Sequence, residues 1–203
     1  MSINVGRGGP THNIALSRAY ELGVDVVLIQ EPRWNVRSKE TMTHPGYTCH
    51  TPYGGMDVRP RAVTYTRKNE KLIMAKQVFP CDRPTGDYCW VEVNGITFLN
   101  VYKAPNNPTA VRPLVNWNPP ARSIAAGDFN SVHVAWQPGA TGTYGQGDEI
   151  EKWTENHNLS CLIIGDPTHK AGNTLDLAWT NISGARAWVD REECMTSDHL
   201  PIR

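Results

Sequence analysis

The sequence predicts an α/β fold built on two packed β-sheets, and three observations predict it. Short apolar runs rich in β-branched residues recur along the chain, turn-forming residues separate them, and few stretches carry helical periodicity. The order of elements follows from the same pattern. Asn4 belongs to a first short strand. Residues 12–22 then place Ile14, Leu16, Ala19, Tyr20 and Leu22 at helical spacing, with Thr11 as the cap and Gly23 as the stop. Residues 24–29 are apolar enough to form a buried strand.

Further strands are expected at 47–53, 62–66, 72–79, 89–93, 97–102 and 123–126, with late strands at 174–180 and 185–190. Residues 84–87 and Asn94-Gly95 are turns, and the second of these joins the flanking runs into a hairpin. Five prolines between positions 104 and 122 limit any helix there to a short one near 109–117. A second full helix is expected over 147–157, preceded by a Gly/Gln-rich exposed loop at 138–147. The sequence has no internal repeat.

A chain of 203 residues, 39% hydrophobic and 20% charged, is expected to form one globular domain with a core of its own. No apolar run approaches the roughly 18 residues of a membrane span, so no membrane partner is expected. Five cysteines, at 49, 81, 89, 161 and 194, are odd in number and contain no Cys-x-x-Cys pair. That argues against a disulfide framework or zinc site and for a reducing compartment, although Cys81 and Cys89 can face each other across a hairpin. Twenty basic and twenty acidic residues give zero net charge, which counts against gripping polyanions through bulk charge. A local cluster such as Arg59, Arg61, Arg67 and Lys68 can still contact phosphates, or can simply be a solvated face.

The chemistry lies at the predicted strand ends. Asn4, Gln30-Glu31, Asp128 and Asn130, and Asp176 are each ordinary turn or strand-edge residues alone, but strand ends can bring distant segments into one pocket. Mg²⁺ prefers oxygen ligands and needs only one or two protein carboxylates, which suits Glu31. Gln30 and Asn4 can orient that carboxylate or its water shell. Asp128 is placed to accept a proton from water, and Asn130 to fix a phosphate. In Ser197-Asp198-His199, an imidazolium held by a carboxylate such as Asp176 would stabilise the extra charge of a pentacovalent transition state.

Taken in order, Asn4, Gln30-Glu31, Tyr102, Gly127-Asp128-Phe129-Asn130, Asp176 and Ser197-Asp198-His199 resemble the endonuclease/exonuclease/phosphatase superfamily. The resemblance implies a DNase I-like four-layer α/β sandwich, two packed mixed β-sheets flanked by helices. It implies that Glu31 binds Mg²⁺, with Mn²⁺ as an alternative, and that Asn4 and Asp198 lie at the metal. Asp128, Asn130, His199, Asp176 and Tyr102 would be the catalytic set, with Tyr102 hydrogen-bonding the phosphate. Arg7, Arg33 and Arg61 are the expected substrate contacts.

Ile3 to Gly8, Leu28 to Pro32 and Gly127 to Trp136 look most like endonuclease domains of LINE-type (non-LTR) retrotransposons. Those domains nick DNA to leave a 3′-hydroxyl that primes reverse transcription. The resemblance therefore implies double-stranded DNA and a reverse transcriptase domain as partners, with residues 1–203 a single domain excised from a longer polyprotein. It also implies work inside the cell, in the nucleus or with access to chromatin. Abasic-site repair, an inositol or lipid phosphatase activity and an inactive binding module are the alternatives. Tyr102-Lys103-Ala104-Pro105-Asn106 carries one residue more than the family's usual Tyr-x-Pro-Asn, so Asn106 is left out of the site.

Overall fold

The computed structural model describes residues 1–52, 59–69, 75–78, 85–192 and 196–203. The chain runs β1 (Ser2–Asn4), α1 (Gly9–Glu21), β2 (Val26–Gln30), β3 (Trp34–Asn35), β4 (Glu40–Thr41), β5 (Tyr47–His50), β6 (Ala62–Arg67) and β7 (Ala75–Val78). It continues through β8 (Tyr88–Val93), β9 (Ile96–Tyr102), α2 (Arg112–Val115), β10 (Ser123–Asp128), α3 (Gly147–Asn156), β11 (Ser160–Cys161) and β12 (Asp176–Thr180). Two sheets result, in the orders β1-β2-β6-β5 and β11-β12-β10-β9-β8-β7, beside a small β3-β4 ribbon. Both are mixed: β1 is parallel to β2 and β9 to β10, whereas β6 and β12 run antiparallel to their neighbours.

Alternation along the strands decides which side chains face which layer. Val27 and Ile29 of β2 point outward and pack on Ala15, Leu16 and Ala19 of α1. Leu28, between them, points inward and packs with Ala126, Ala178 and Ile202. On the far side, Leu99, Val101, Ala125 and Leu177 meet Leu114 of α2 and Ile150 and Trp153 of α3. The indole of Trp117 stacks on Trp153 with centroids 6.1 Å apart. Helix, sheet, sheet and helices therefore form the expected four layers.

Helix α1 begins earlier than the periodicity indicates. Pro10 occupies the first turn, where its missing N–H costs nothing, so the cap position falls on Gly8 and Thr11 lies inside the helix. The proline-rich stretch yields only the single turn of α2. Residues 185–190 form no strand. Val189 makes one bridge to Ile202, and Ile202 bridges in turn to Ser2 at the margin of the first sheet. The two-residue strands β3, β4 and β11 are too short to carry a period. Tyr53, residues 72–74, Phe79 and Pro84 lie outside the described residues, as do Cys81 and with it the Cys81–Cys89 pairing.

The space between the sheets is not purely apolar. Gln30 Nε2 donates to Asn100 Oδ1 at 2.6 Å, and Asn100 Nδ2 donates to the carbonyls of Ile29 and Val63 at 3.1 and 2.8 Å. Both side chains are fully buried, so Asn100 of the second sheet is pinned to two strands of the first. Removing that amide would leave buried partners unsatisfied. Asn100→Ala is expected to cost about 2–4 kcal/mol, read as a lower urea midpoint with an unchanged slope. A loss below about 0.5 kcal/mol would show that the sheets do not depend on this contact.

Candidate active site

Register assembles the site. Asp128 ends β10 and sits abreast of Tyr102 on β9 and Asp176 on β12, while Asn4 sits abreast of Gln30 across β1 and β2. Residues opposite one another share a sheet face, so each sheet presents its polar strand ends along one rim. Gly127 makes the approach to Asp128 possible. Its φ is +146°, and a Cβ there would lie 2.1 Å from the Val101 carbonyl oxygen. Arg7, Glu31 and Asn130 also have left-handed backbone, with φ of +67°, +46° and +44°. Such conformations gather where a fold holds a functional site.

The rims are joined by direct hydrogen bonds. Asn4 Nδ2 donates to Asp128 Oδ2 at 2.9 Å, and the Gly6 N–H donates to Asn4 Oδ1 at 2.9 Å. Asn4 thus turns its nitrogen toward Asp128 and holds that carboxylate in place. The other Asp128 oxygen accepts from the Asn130 N–H at 3.0 Å. Asn130 Nδ2 donates one hydrogen to the Lys103 carbonyl at 3.1 Å, and an amide nitrogen has a second to offer. His199 Nδ1 lies 2.7 Å from Asp176 Oδ2, and its Nε2 lies 4.0 Å from Asp128 Oδ2. Ser197 fastens this last segment by donating to the Asn4 carbonyl at 2.6 Å and accepting from the His199 N–H at 3.1 Å.

Burial and proximity set the protonation states. Burial, reinforced by Asp176, raises Asp128 well above the ordinary carboxylate range, although His199 and the Asn4 and Asn130 hydrogen bonds oppose the rise. Burial by itself would lower His199, but its bond to Asp176 and the nearby carboxylates overcome that and lift it to about 9. The Tyr102 phenol is lifted to about 12 by burial, with the charges of Glu31 and Asp128 adding to the effect. Partial burial works against ionised Asp198, yet His199 and His169 hold it below its usual value.

The buried carboxylates of Asp128 and Asp176 repel one another across the one imidazolium beside them, and a cation would relieve that repulsion. Ligand atoms of Asp128, Asp176 and His199 all lie within 4.8 Å of one another, and since His199 is lifted to about 9 and keeps its proton, the carboxylate oxygens are the donors left for a cation. Asp176 Oδ1 is buried with no hydrogen-bond partner among the described residues, an orphan oxygen that a cation or its water would satisfy. With Glu31 bordering the same pocket beside Tyr102, the donors are hard oxygens of the kind that fit Mg²⁺ or Mn²⁺.

The structure places the remaining expected residues unevenly. Asp198 is on the rim, 3.3 Å from His169 Nε2. Arg7 pairs with Glu31 at 2.8 Å. Arg61 is held by both oxygens of Asp87 at 2.5 Å, and its guanidinium lies over the Tyr102 ring. Arg33 donates to the Trp34 carbonyl and packs beside Gly9. The sequence cluster of four cations splits, because Arg67 sits at the other end of β6, over the Tyr20 ring. Asn106 is exposed on the loop after β9.

Three contributors had no usable sequence signal. Asn100 ties Gln30 in place. Thr168 Oγ1 accepts from the N–H groups of Leu175 and Asp176 at 3.0 and 2.9 Å, fixing the start of β12. Lys103, fully buried beneath Asn130, donates to Gln146 Oε1 at 3.2 Å and thereby ties the 138–147 loop to the site.

Residues 96–203 match the endonuclease-reverse transcriptase family. The chain is similar in structure to the endonuclease domain of TRAS1, a telomere-specific non-LTR retrotransposon, with a TM-score of 0.75 and 19% identity over 99% of this chain and 94% of that one. It is also similar to an AP endonuclease from Leishmania major, at 0.72 and 16% over 99% and 85%. An AP endonuclease from Archaeoglobus fulgidus gives 0.69 and 14% over 99% and 96%. At these identities the likeness is one of fold, and that fold is the expected DNase I-like architecture. No curated protein matches the chain in sequence.

The His199–Asp176 pair should register in stability. Because the folded value of His199 is raised from 6.5 to about 9, its contribution is complete below pH 6.5 and is lost as pH rises through about 9. Unfolding free energies from urea titrations in EDTA should fall across that window, by on the order of 3 kcal/mol. Asp176→Asn should flatten the decline. An equal decline in the variant would place its origin elsewhere.

Proposed function

The chain belongs to the endonuclease-reverse transcriptase family, within the endonuclease/exonuclease/phosphatase superfamily, and on that premise we propose that it is a divalent-metal-dependent DNA endonuclease. It nicks duplex DNA to leave a 3′-hydroxyl that primes reverse transcription of a non-LTR retrotransposon. The observation that carries this reading is the buried line Asp176–His199–Asp128, with steps of 2.7 and 4.0 Å, beside Glu31 and Tyr102. The second step is too long for a direct hydrogen bond and too short to admit an atom between the two, so imidazole and carboxylate can reach one oxygen only from the same side.

In this reading Asp128, raised toward neutrality by burial, takes a proton from water. The water oxygen bonds to phosphorus as the P–O3′ bond breaks, and the departing O3′ takes a proton from solvent, giving a 5′-phosphate and the 3′-hydroxyl. His199, kept protonated by Asp176, donates Nε2–H to a phosphate oxygen where charge accumulates. Asn130 offers its second amide hydrogen to the same group, and the Tyr102 hydroxyl, which burial keeps protonated, donates from the β9 side. Glu31 would hold Mg²⁺ or Mn²⁺, which would supply positive charge to the phosphate. The reading carries with it double-stranded DNA as substrate, a reverse transcriptase domain as partner, and work inside the cell with access to chromatin.

Nicking of supercoiled plasmid tests it. The wild type should convert plasmid to open circle only with Mg²⁺ or Mn²⁺, and a polymerase should extend the nicked ends without prior processing. Asp128→Ala should slow conversion by at least about 10²–10⁴-fold while leaving duplex binding in place. Glu31→Gln should raise the Mg²⁺ concentration required. Cleavage confined to abasic sites would reassign the chain to repair, release of inorganic phosphate without nicking would make it a phosphatase, and duplex binding without cation-dependent conversion would leave only a binding module.

A further inference from the structure

Arg7 is half exposed, yet its Nε and Nη2 both donate to the same Glu31 oxygen, at 3.0 and 2.8 Å. The contact is built into the backbone as well. The Arg7 N–H donates to the Glu31 carbonyl at 2.8 Å, and both residues hold left-handed φ to make the approach. Glu31 is the carboxylate assigned to the cation, and Arg7 occupies one of the two oxygens that it could offer.

Three more arginines gather around the same turn. Arg59 Nη2 donates to the Pro32 carbonyl at 2.9 Å, and Arg59 Nε is buried with no partner among the described residues. Arg33 follows Pro32 and lies along the first turn of α1, at the positive end of that helix. Arg61 is already neutralised by Asp87 and stacked on Tyr102. Burial lowers Arg59, and the repulsion of Arg7, Arg33 and Arg61 lowers it further, with Glu31 opposing them. Among the described residues, four arginines around one turn are met by two paired carboxylates, Glu31 and Asp87. A phosphodiester oxygen supplies both the acceptor that Arg59 Nε lacks and the negative charge that the group needs.

We propose that Arg7, Arg33 and Arg59 form a phosphodiester-binding site beside Glu31, in which Arg7 stays bound to Glu31 until a divalent cation takes that carboxylate and then turns to the DNA phosphate. The site lies on the β2–β3 side of the pocket, so the phosphate it holds is a neighbour of the scissile one. The inference rests on the reading of the chain as a DNA endonuclease. It adds that cation and duplex bind with positive coupling, because Glu31 and the phosphate exchange one arginine between them. Coupling of this kind is reciprocal: the cation tightens the duplex by the same factor that the duplex tightens the cation.

The test measures two equilibria, each without turnover. Duplex affinity is read by fluorescence anisotropy of a labelled DNA in an Asp128→Asn background, with EDTA and with saturating Mg²⁺, over a salt series. Mn²⁺ affinity is read by electron paramagnetic resonance without DNA. Arg33→Gln and Arg59→Gln should weaken duplex binding with and without cation and reduce the salt slope by about 1 each. Arg7→Gln should weaken duplex binding only when Mg²⁺ is present, by about 5-fold or more, and should tighten Mn²⁺ binding several-fold. If Arg59→Gln fails to fold, Arg59→Lys replaces it, since it keeps the charge but loses the Nε donor.

Equal weakening by Arg7→Gln with and without cation, or Mn²⁺ affinity unchanged by it, overturns the exchange. Variants at all three positions that bind duplex like the wild type overturn the site while leaving the endonuclease reading intact. Should the cation-loaded wild type bind no duplex at all, both fall together. Free inorganic phosphate that competes with the duplex only in proteins retaining Arg59 would support the site, and competition unchanged by Arg59→Gln would count against it.

Discussion

Asn100 and Gln30 meet in the closed space between the sheets, where an unpaired amide would cost several kcal/mol. Their mutual bond and the two carbonyls that Asn100 reaches satisfy the Asn100 amide and register the sheets, while Gln30 Oε1 keeps no partner among the described residues. Leu28, Ala126 and Ala178 would pack in several neighbouring positions. Apolar burial thus supplies adhesion between the layers, and the amides choose the alignment. A second contact of the same kind, Asn4 to Asp128, falls at the rim. The residue that the reading treats as the general base is therefore itself part of the seam between the sheets.

That placement explains the electrostatics of the pocket. Asp128 cannot retreat into solvent, since Asn4 holds one oxygen and the Asn130 N–H the other. Asp176 is fixed in the same way, by the Thr168 hydroxyl at its backbone and by His199 at its side chain. Two fixed, buried carboxylates raise the cost of a second negative charge, and the imidazolium offsets only one. The pocket stores an unmet demand for positive charge. Arg7, reaching Glu31 from outside, answers part of that demand on the exposed side of the rim.

Gly-Asp-Phe-Asn and Ser-Asp-His were legible through the resemblance, since each alone reads as a turn beside a strand end and only their order along the chain matches the family's motifs. The central strands were legible because 24–29 is a short, largely apolar run just after a helix stop and 97–102 follows the Asn94-Gly95 turn of a hairpin. Asn100 was not, since a polar residue in an alternating strand reads as a solvent-facing position, and only the packing of the first sheet over it shows that this face is covered. Thr168 looks like any turn threonine until β12 is seen to start beside it. The 185–190 stretch has strand composition but lies at a sheet margin where the chain supplies a single bridge. Arg7, Arg33 and Arg61 are individually visible as cations, but the pairing of Arg7 with Glu31 depends on two left-handed residues that composition does not announce.

In the proposed mechanism Asp128 and His199, whose side-chain atoms approach to 4.0 Å, act as one unit on the same phosphate. A double-mutant cycle in the single-turnover nicking rate measures this directly, using Asp128→Ala, His199→Ala and the pair. If the two form one unit, the double variant is no more than about 3-fold slower than the slower single variant, because the first substitution already removes what the second would. Losses that multiply would show two independent contributions and contradict the account.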